Sequence, residues 1–192
     1  MPDGPPLFFF GAMSPYSWFA AERINTLIPD AQWRPVFAGG LFKAAGRTSW
    51  GLTGDRAAGL ADCEARARQH GLGEIVWPDP WPTLDVLVSR AMLFADRQGK
   101  LEPLALEAMR LAFREGADLG EPATVREAGL RAGLDPEEVE QATQDPELKA
   151  ALRAATDEAV ARGVTGLPTV VVGDQLFWGD DRLKDAARAA DQ

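Results

Sequence analysis

Two segments at opposite ends of the chain carry sharp strand, turn and helix-start signals, and neither contains a cysteine. The run Leu7–Phe8–Phe9–Phe10 has the length and aromatic content of a buried strand. Gly11 breaks it. Ser14 then stands where an N-cap belongs and Pro15 where a first helical residue belongs. Trp18, Phe19, Ile24 and Leu27–Ile28 recur at helical spacing until Pro29–Asp30 stops the helix, and Gln32–Phe37 reads as a second strand. Strand, helix, strand is a βαβ unit. Near the other end, Gly163–Val164–Thr165–Gly166–Leu167–Pro168–Thr169 leads into the strand Thr169–Val172. Gly173–Asp174 turns it back into Gln175–Trp178, a hairpin, and Gly179–Asp180–Asp181 opens a last helix, Arg182–Ala190.

The chain between these ends is mostly helical in pattern. Asp55–Gln69, Leu84–Arg97, Leu101–Glu115, Pro122–Ala132, Pro136–Thr143 and Pro146–Arg162 carry apolar residues at helical period or Asp-Pro starts. Gly39–Gly40, Gly71–Gly73 and Pro78–Pro82 punctuate them. The expected order is therefore βαβ, a helical insertion, then ββα: an α/β chain whose residues 1–40 and 163–192 form one discontinuous domain, with a helical insertion domain over 41–162.

Composition narrows the function classes. With one cysteine, Cys63, there is no intrachain disulfide framework, and one Cys with one His, His70, cannot build a structural zinc site; no metal site is expected. A formal net charge of −9 repels phosphate backbones, so nucleic acid is not an expected partner. No run approaches the roughly 18 apolar residues of a membrane span. Met1–Pro6 carries an acid and no Lys or Arg, so a secretory leader is not expected and the cytoplasm is the expected location. Neither a Walker loop nor a dinucleotide glycine fingerprint is present.

The element order and four segments resemble the 2-hydroxychromene-2-carboxylate isomerase family, relatives of kappa-class glutathione transferases and of the disulfide oxidoreductase DsbA. The segments are Ser14–Pro15–Tyr16–Ser17, Leu41–Phe42–Lys43–Ala44–Ala45–Gly46, Gly163–Thr169, and Phe177–Trp178–Gly179–Asp180–Asp181–Arg182. The resemblance covers nearly the whole chain and implies a thioredoxin-like fold interrupted after its second strand by helices. Thioredoxin-like oxidoreductases carry Cys-Pro-x-Cys where this chain has Ser14–Pro15–Tyr16–Ser17. Both thiols are hydroxyls here, so the family resemblance implies an external thiol, glutathione, as cofactor.

By that resemblance the glutathione sulfur lies near Ser14, the implied catalytic residue. A helix N-terminus stabilises an anion through its orphan N–H groups and partial positive charge. The same field would lower the pKa of a bound thiol. Without a ligand, Ser14 is simply a capping serine. Pro15 pre-sets the first turn; Tyr16 either borders the pocket and donates a hydrogen bond or packs. Cysteinyl backbone groups would pair with Leu167, before a cis Pro168. Asp180 and Asp181 would meet the γ-glutamyl end, or cap the last helix. Lys43 would reach a ligand carboxylate, or is a solvated lysine. Trp77–Pro82 either walls an apolar pocket or forms an interhelical loop whose indoles pack the core. Cys63, flanked by acids, reads as non-catalytic, and His70 as a helix-end cap contact.

The implied activity is glutathione-dependent isomerisation of a small aromatic compound, in aromatic catabolism. Two alternatives stay open at this point: a kappa-like glutathione transferase, and a binding protein that uses the groove without turnover. Members of such families commonly dimerise, so a homodimer is among the implied partners.

Overall fold

The computed structural model describes residues 4–192; the reading of Met1–Pro2–Asp3 lies outside the described residues. Four strands form one sheet in the order β2–β1–β3–β4, with β1 at Leu7–Phe10, β2 at Gln32–Pro35, β3 at Thr169–Val172 and β4 at Gln175–Trp178. β1 runs parallel to β2, as the helical crossover between them requires, and antiparallel to β3. Phe9 faces Thr169 across the central pair, so the start of β3 lies beside the end of β1. That register brings the two sequence-distant segments to one end of the sheet.

Helix α1 (Pro15–Leu27) connects β1 to β2. Seven helices then separate β2 from β3: α2 (Ala38–Ala44), α3 (Arg56–Gln69), α4 (Val86–Arg97), α5 (Leu101–Glu115), α6 (Pro122–Arg131), α7 (Pro136–Gln144) and α8 (Pro146–Ala161). A last helix, α9 (Leu183–Ala190), follows β4 through a short 3-10 turn. This is the thioredoxin-like α/β order with a large helical insertion expected from sequence.

One apolar core joins sheet and insertion. Phe8, Phe10 and Trp33 from the sheet, Trp18 and Phe19 from α1, and Met92, Met109 and Phe113 from α4 and α5 belong to the same buried cluster. Trp18 stacks on Phe113 with ring centroids 5.6 Å apart, tying α1 to α5. Burial of rings of this size contributes roughly 2–3 kcal/mol each, so insertion and sheet stabilise each other.

Sequence and structure differ most in the segment after β2. Gln32–Phe37 was expected to be strand throughout, but β2 stops at Pro35 and Phe37 caps α2. Gly39–Gly40 read as punctuation, yet both lie inside α2. A Cβ at Gly39 would meet the Phe37 ring at 2.8 Å, so these glycines serve close packing rather than chain breaking. Among the described residues no helix is long and apolar enough to cross a membrane.

Candidate active site

A cavity of about 1260 Å³ opens where the N-terminus of α1, the segment before β3 and the insertion meet. Ser14, Pro15, Tyr16, Lys43, Leu167, Asp180 and Asp181 all line it. Pro168 lies just behind, buried, with its carbonyl accepting from the Gly179 N–H at 2.9 Å. The sequence-selected residues thus meet in one place, although what each does there differs.

Ser14 is the N-cap of α1: its Oγ accepts from the Ser17 N–H at 3.2 Å. The hydroxyl is half-buried at the cavity wall and keeps its own proton free to donate. Pro15 has no N–H to satisfy, and the N–H of Tyr16 takes no partner among the described residues. No acid occupies the first turn of α1. The helix mouth therefore presents a hydroxyl, a free amide and uncompensated dipole charge, an environment suited to an anion. Ser17 points inward instead, with Oγ 3.4 Å from the Gly11 N–H.

The Leu167–Pro168 peptide is cis. Leu167 abuts the turn before α1, since a Cβ at Gly11 would come within 3.0 Å of its Cδ1. Neither the N–H nor the C=O of Leu167 takes a partner among the described residues. An extended ligand backbone can pair with such groups as an added strand would.

Asp180 departs from its expected role. It is 1% exposed, and its carboxylate is saturated: Arg66 Nη1 donates to Oδ1 at 2.8 Å, Arg23 Nη2 to Oδ2 at 3.1 Å, and His70 Nε2 lies 3.1 Å from Oδ2. Arg23 Nη2 also donates to the Asp180 carbonyl at 2.8 Å. Little capacity remains for a ligand ammonium, so Asp180 is a brace that locks the Gly179–Arg182 turn to α1 and α3. Gly179 enters that turn at φ 113°, a conformation reserved for glycine. Asp181, by contrast, is exposed at the cavity edge. Burial lowers the Arg23 pKa from its ordinary value; at Arg66 burial acts the same way, but the Asp180 and Asp62 carboxylates outweigh it and raise the pKa. Both guanidiniums stay charged at neutral pH. His70 is the C-cap of α3 as expected, and its ring in addition reaches across to Asp180, with Nε2 3.1 Å from Oδ2.

Tyr16 borders the cavity and packs against Phe19 and Trp50. Its hydroxyl donates to Asp62 Oδ2 at 2.9 Å. Burial first, then the neighbouring Cys63 and Asp62, hold its pKa far above the usual tyrosine value, so it is a neutral phenol. Cys63 is fully buried, and burial pushes its thiol up to about 12. The chain's own sulfur is therefore a thiol at neutral pH.

Facing α1 is an aromatic wall. Trp81 packs between Trp50 and Trp77, each with ring centroids 4.8 Å away. Trp50, Pro80, Trp81 and Pro82 border the cavity, whereas Trp77 turns onto Phe113 in the core. The Trp77–Pro82 stretch is thus wall and core at once. Lys43 on α2 and Arg47 after it bring positive charge to the cavity. Arg47 stacks over Trp178 at 4.4 Å and donates to the Thr165 carbonyl at 3.1 Å.

Arg23, Arg66, Arg47 and Asp85 carry no local sequence signal of their places in the site. The first three are arginines on helices or loops, and nothing in their local sequence marks a partner more than a hundred positions away. Asp85 stands just before α4, where an acid normally caps, yet its side chain makes no cap hydrogen bond. It is 3% exposed and lines the cavity.

Comparison with known proteins bears on the fold. Residues 7–191 match the model of the DSBA-like thioredoxin domain. In sequence the chain is similar to a 2-hydroxychromene-2-carboxylate isomerase of Sphingobium xenophagum, 26% identical over 185 residues that cover 92% of each protein. In structure it is similar to a 2-hydroxychromene-2-carboxylate isomerase with TM-score 0.83 and 19% identity, covering 97% of this chain and 94% of the other. A probable DsbA oxidoreductase from Streptomyces coelicolor shares the fold at TM-score 0.78 and 19% identity, over 97% of this chain and 88% of its own. With its domain matched from β1 into α9, the chain belongs to the DSBA-like thioredoxin domain family.

Proposed function

We propose that this protein is a glutathione-dependent isomerase of the 2-hydroxychromene-2-carboxylate type. The observation that carries the reading is that Ser14 at the mouth of α1 and the unpartnered backbone of Leu167 open onto one cavity with an aromatic wall and the cations Lys43 and Arg47. Sequence similarity to the Sphingobium xenophagum isomerase supports the reaction class.

The residues present fit glutathione. Leu167 offers an N–H and a C=O to an extended tripeptide. Lys43 and Arg47 offer charge to its carboxylates, and Asp181 faces its ammonium from the rim. Asp180 holds the turn that carries Asp181. When bound, glutathione supplies a thiolate nucleophile that adds reversibly to a conjugated carbon and is regenerated.

Each remaining part of the work belongs to the chain. The Ser14 hydroxyl donates toward the sulfur while its oxygen continues to cap α1. The Tyr16 N–H and the α1 dipole add positive potential, which favours thiolate over thiol. The Trp50, Pro80 and Trp81 surfaces hold an aromatic ring and exclude water, which strengthens those interactions. A substrate carboxylate finds Lys43 or Arg47.

Calorimetric titration with reduced glutathione, followed by product analysis with 2-hydroxychromene-2-carboxylate, tests the reading. Product formed without net glutathione consumption is expected. Stoichiometric loss of glutathione would make the protein a transferase, and binding without turnover would make it a binding module.

A further inference from the structure

Three polar groups on one short segment of the cavity wall have no partner among the described residues. They are Trp81 Nε1, Thr83 Oγ1 and Asp85 Oδ2, all buried. Trp81, Thr83 and Asp85 line the cavity, and the intervening Leu84 turns outward, 68% exposed. Protein interiors seldom leave a donor or acceptor unmatched, and three of the six unmatched buried side-chain atoms among the described residues fall within residues 81–85. An indole N–H donates, a carboxylate accepts and a hydroxyl does both. A ligand hydroxyl can match any of the three, since it gives a proton to a carboxylate and accepts from an indole N–H or a hydroxyl.

The setting of Asp85 is fixed from several sides. Its Oδ2 lies 3.5 Å from where a Cβ on Gly11 would stand, so the carboxyl tucks under the turn that leads into α1. The charged groups on surrounding elements are Lys43 on α2, Arg66 on α3, Arg90 on α4, Arg47, Asp118 and Glu121; none of them pairs with Asp85. Burial raises its pKa from 3.8 to about 6, partly offset by the backbone N–H groups of Met13 and of Asp85 itself. A group with that pKa can both take and return a proton near neutral pH.

We propose that Asp85 is the acid–base residue of this cavity, taking the proton of a substrate hydroxyl held by Thr83 and Trp81 and returning it to the oxygen freed on ring opening. This rests on the isomerase reading. In a 2-hydroxychromene the hydroxyl and the ring oxygen share one carbon. Loss of the hydroxyl proton to the Asp85 carboxylate lets that C–O bond become C=O. The bond from the same carbon to the ring oxygen breaks, its electron pair goes to the ring oxygen, and the Asp85 carboxyl returns the proton to the phenolate. Atoms, charge and electrons balance with no other reagent.

The test compares the wild-type chain with Asp85→Asn and Asp85→Glu, using 2-hydroxychromene-2-carboxylate and saturating reduced glutathione. Asp85→Asn should lower kcat by about 10²–10⁴-fold, with KM little changed, and should remove an acidic limb centred near pH 6 from the kcat profile. Asp85→Glu should recover part of the rate. Glutathione affinity by calorimetry should stay the same in both variants, which separates lost chemistry from lost folding. Infrared difference spectra, wild type minus Asp85→Asn, should hold a carboxyl band titrating near pH 6. That band should move when the chromene carboxylate is added without glutathione. Retention of the wild-type kcat and acidic limb in Asp85→Asn overturns the proposal. So does absence of any carboxyl band titrating above about pH 5. A band that titrates and moves in a wild-type protein giving no isomerised product would remove the isomerase reading and leave Asp85 as the hydroxyl's proton partner.

Discussion

Arg66 Nη1 meets Asp180 Oδ1 at 2.8 Å, joining α3 of the insertion to the turn before α9 across 114 positions of sequence. Arg23 approaches the same carboxylate from α1. Three elements are pinned by one buried acid, and the turn they hold carries Asp181 to the cavity rim. Removing a buried charge that others have been desolvated to meet is costly, about 3–5 kcal/mol where the partners cannot reach water. Arg23 and Arg66 retain partial exposure, 25% and 30%, so recovery of hydration softens the loss. Asp180→Asn should therefore destabilise the protein by about 2–4 kcal/mol. Urea unfolding should show a lower midpoint with an unchanged slope. Loss of less than about 1 kcal/mol would mean that the cluster behaves as a surface pair.

Ser14 has two roles that one substitution separates by size. As a cap it satisfies the Ser17 N–H, and Ser14→Ala should cost about 1 kcal/mol of stability. As a thiolate donor it should do more: the pKa of a bound glutathione thiol should rise in Ser14→Ala. Thiolate absorbance near 240 nm, titrated with glutathione bound, reads this directly. Ser14→Thr keeps both hydroxyl functions and should restore the low pKa. A titration unchanged in Ser14→Ala would leave Ser14 as a cap alone.

The frame was legible because its signals are local. Leu7–Phe10, Ser14–Pro15 and Gly166–Val172 each carry their structure in neighbouring residues, and the structure has strands, cap and Pro168 turn at those positions. Most insertion helices were legible for the same reason: Asp135–Pro136 and Asp145–Pro146 cap and start α7 and α8. What escaped depends on distance. α2 was hidden because Gly39–Gly40 weigh against a helix locally, and only packing on Phe37 explains them. The role of Asp180 required knowing that Arg23, Arg66 and His70 converge on it. Asp85 looks like a cap in sequence, and only its burial and unmatched Oδ2 reveal it as part of the cavity.

Gly166 supports the cavity by its lack of a side chain. A Cβ there would lie 2.5 Å from Trp178 Nε1 and 2.6 Å from Cε2, so the indole must move. Trp178 in turn carries the Arg47 guanidinium at 4.4 Å, and Arg47 lines the cavity. Gly166→Ala should displace both. Overpacking at this site should cost about 1–3 kcal/mol, and glutathione affinity should fall with it. Trp178→Ala in the Gly166→Ala background removes the clash and should recover the stability while leaving affinity low. Equal affinity in Gly166→Ala and wild type would separate Arg47 from ligand binding.

Asp85 should leave a mark on stability as well as on catalysis. Its pKa rises from 3.8 to about 6 on folding, so the folded state holds its proton more tightly than the unfolded chain does. Below about pH 4 both states are protonated and the group contributes nothing to the pH dependence. As pH climbs through the window from 4 to 6 the unfolded chain ionises first, and stability falls. Above pH 6 the loss is complete, on the order of 3 kcal/mol for a shift of this size. Asp85→Asn removes the ionisation, so it should be more stable than wild type at pH 8 and should lose that advantage at pH 4. The amide leaves the position of Oδ2 unmatched as the carboxyl does, which subtracts a similar amount at both pH values. The difference between the two, on the order of 2–3 kcal/mol, is the quantity to measure by chemical unfolding. A wild-type-minus-variant difference that is flat between pH 4 and pH 8 would mean that Asp85 ionises in the cavity as freely as it does in water.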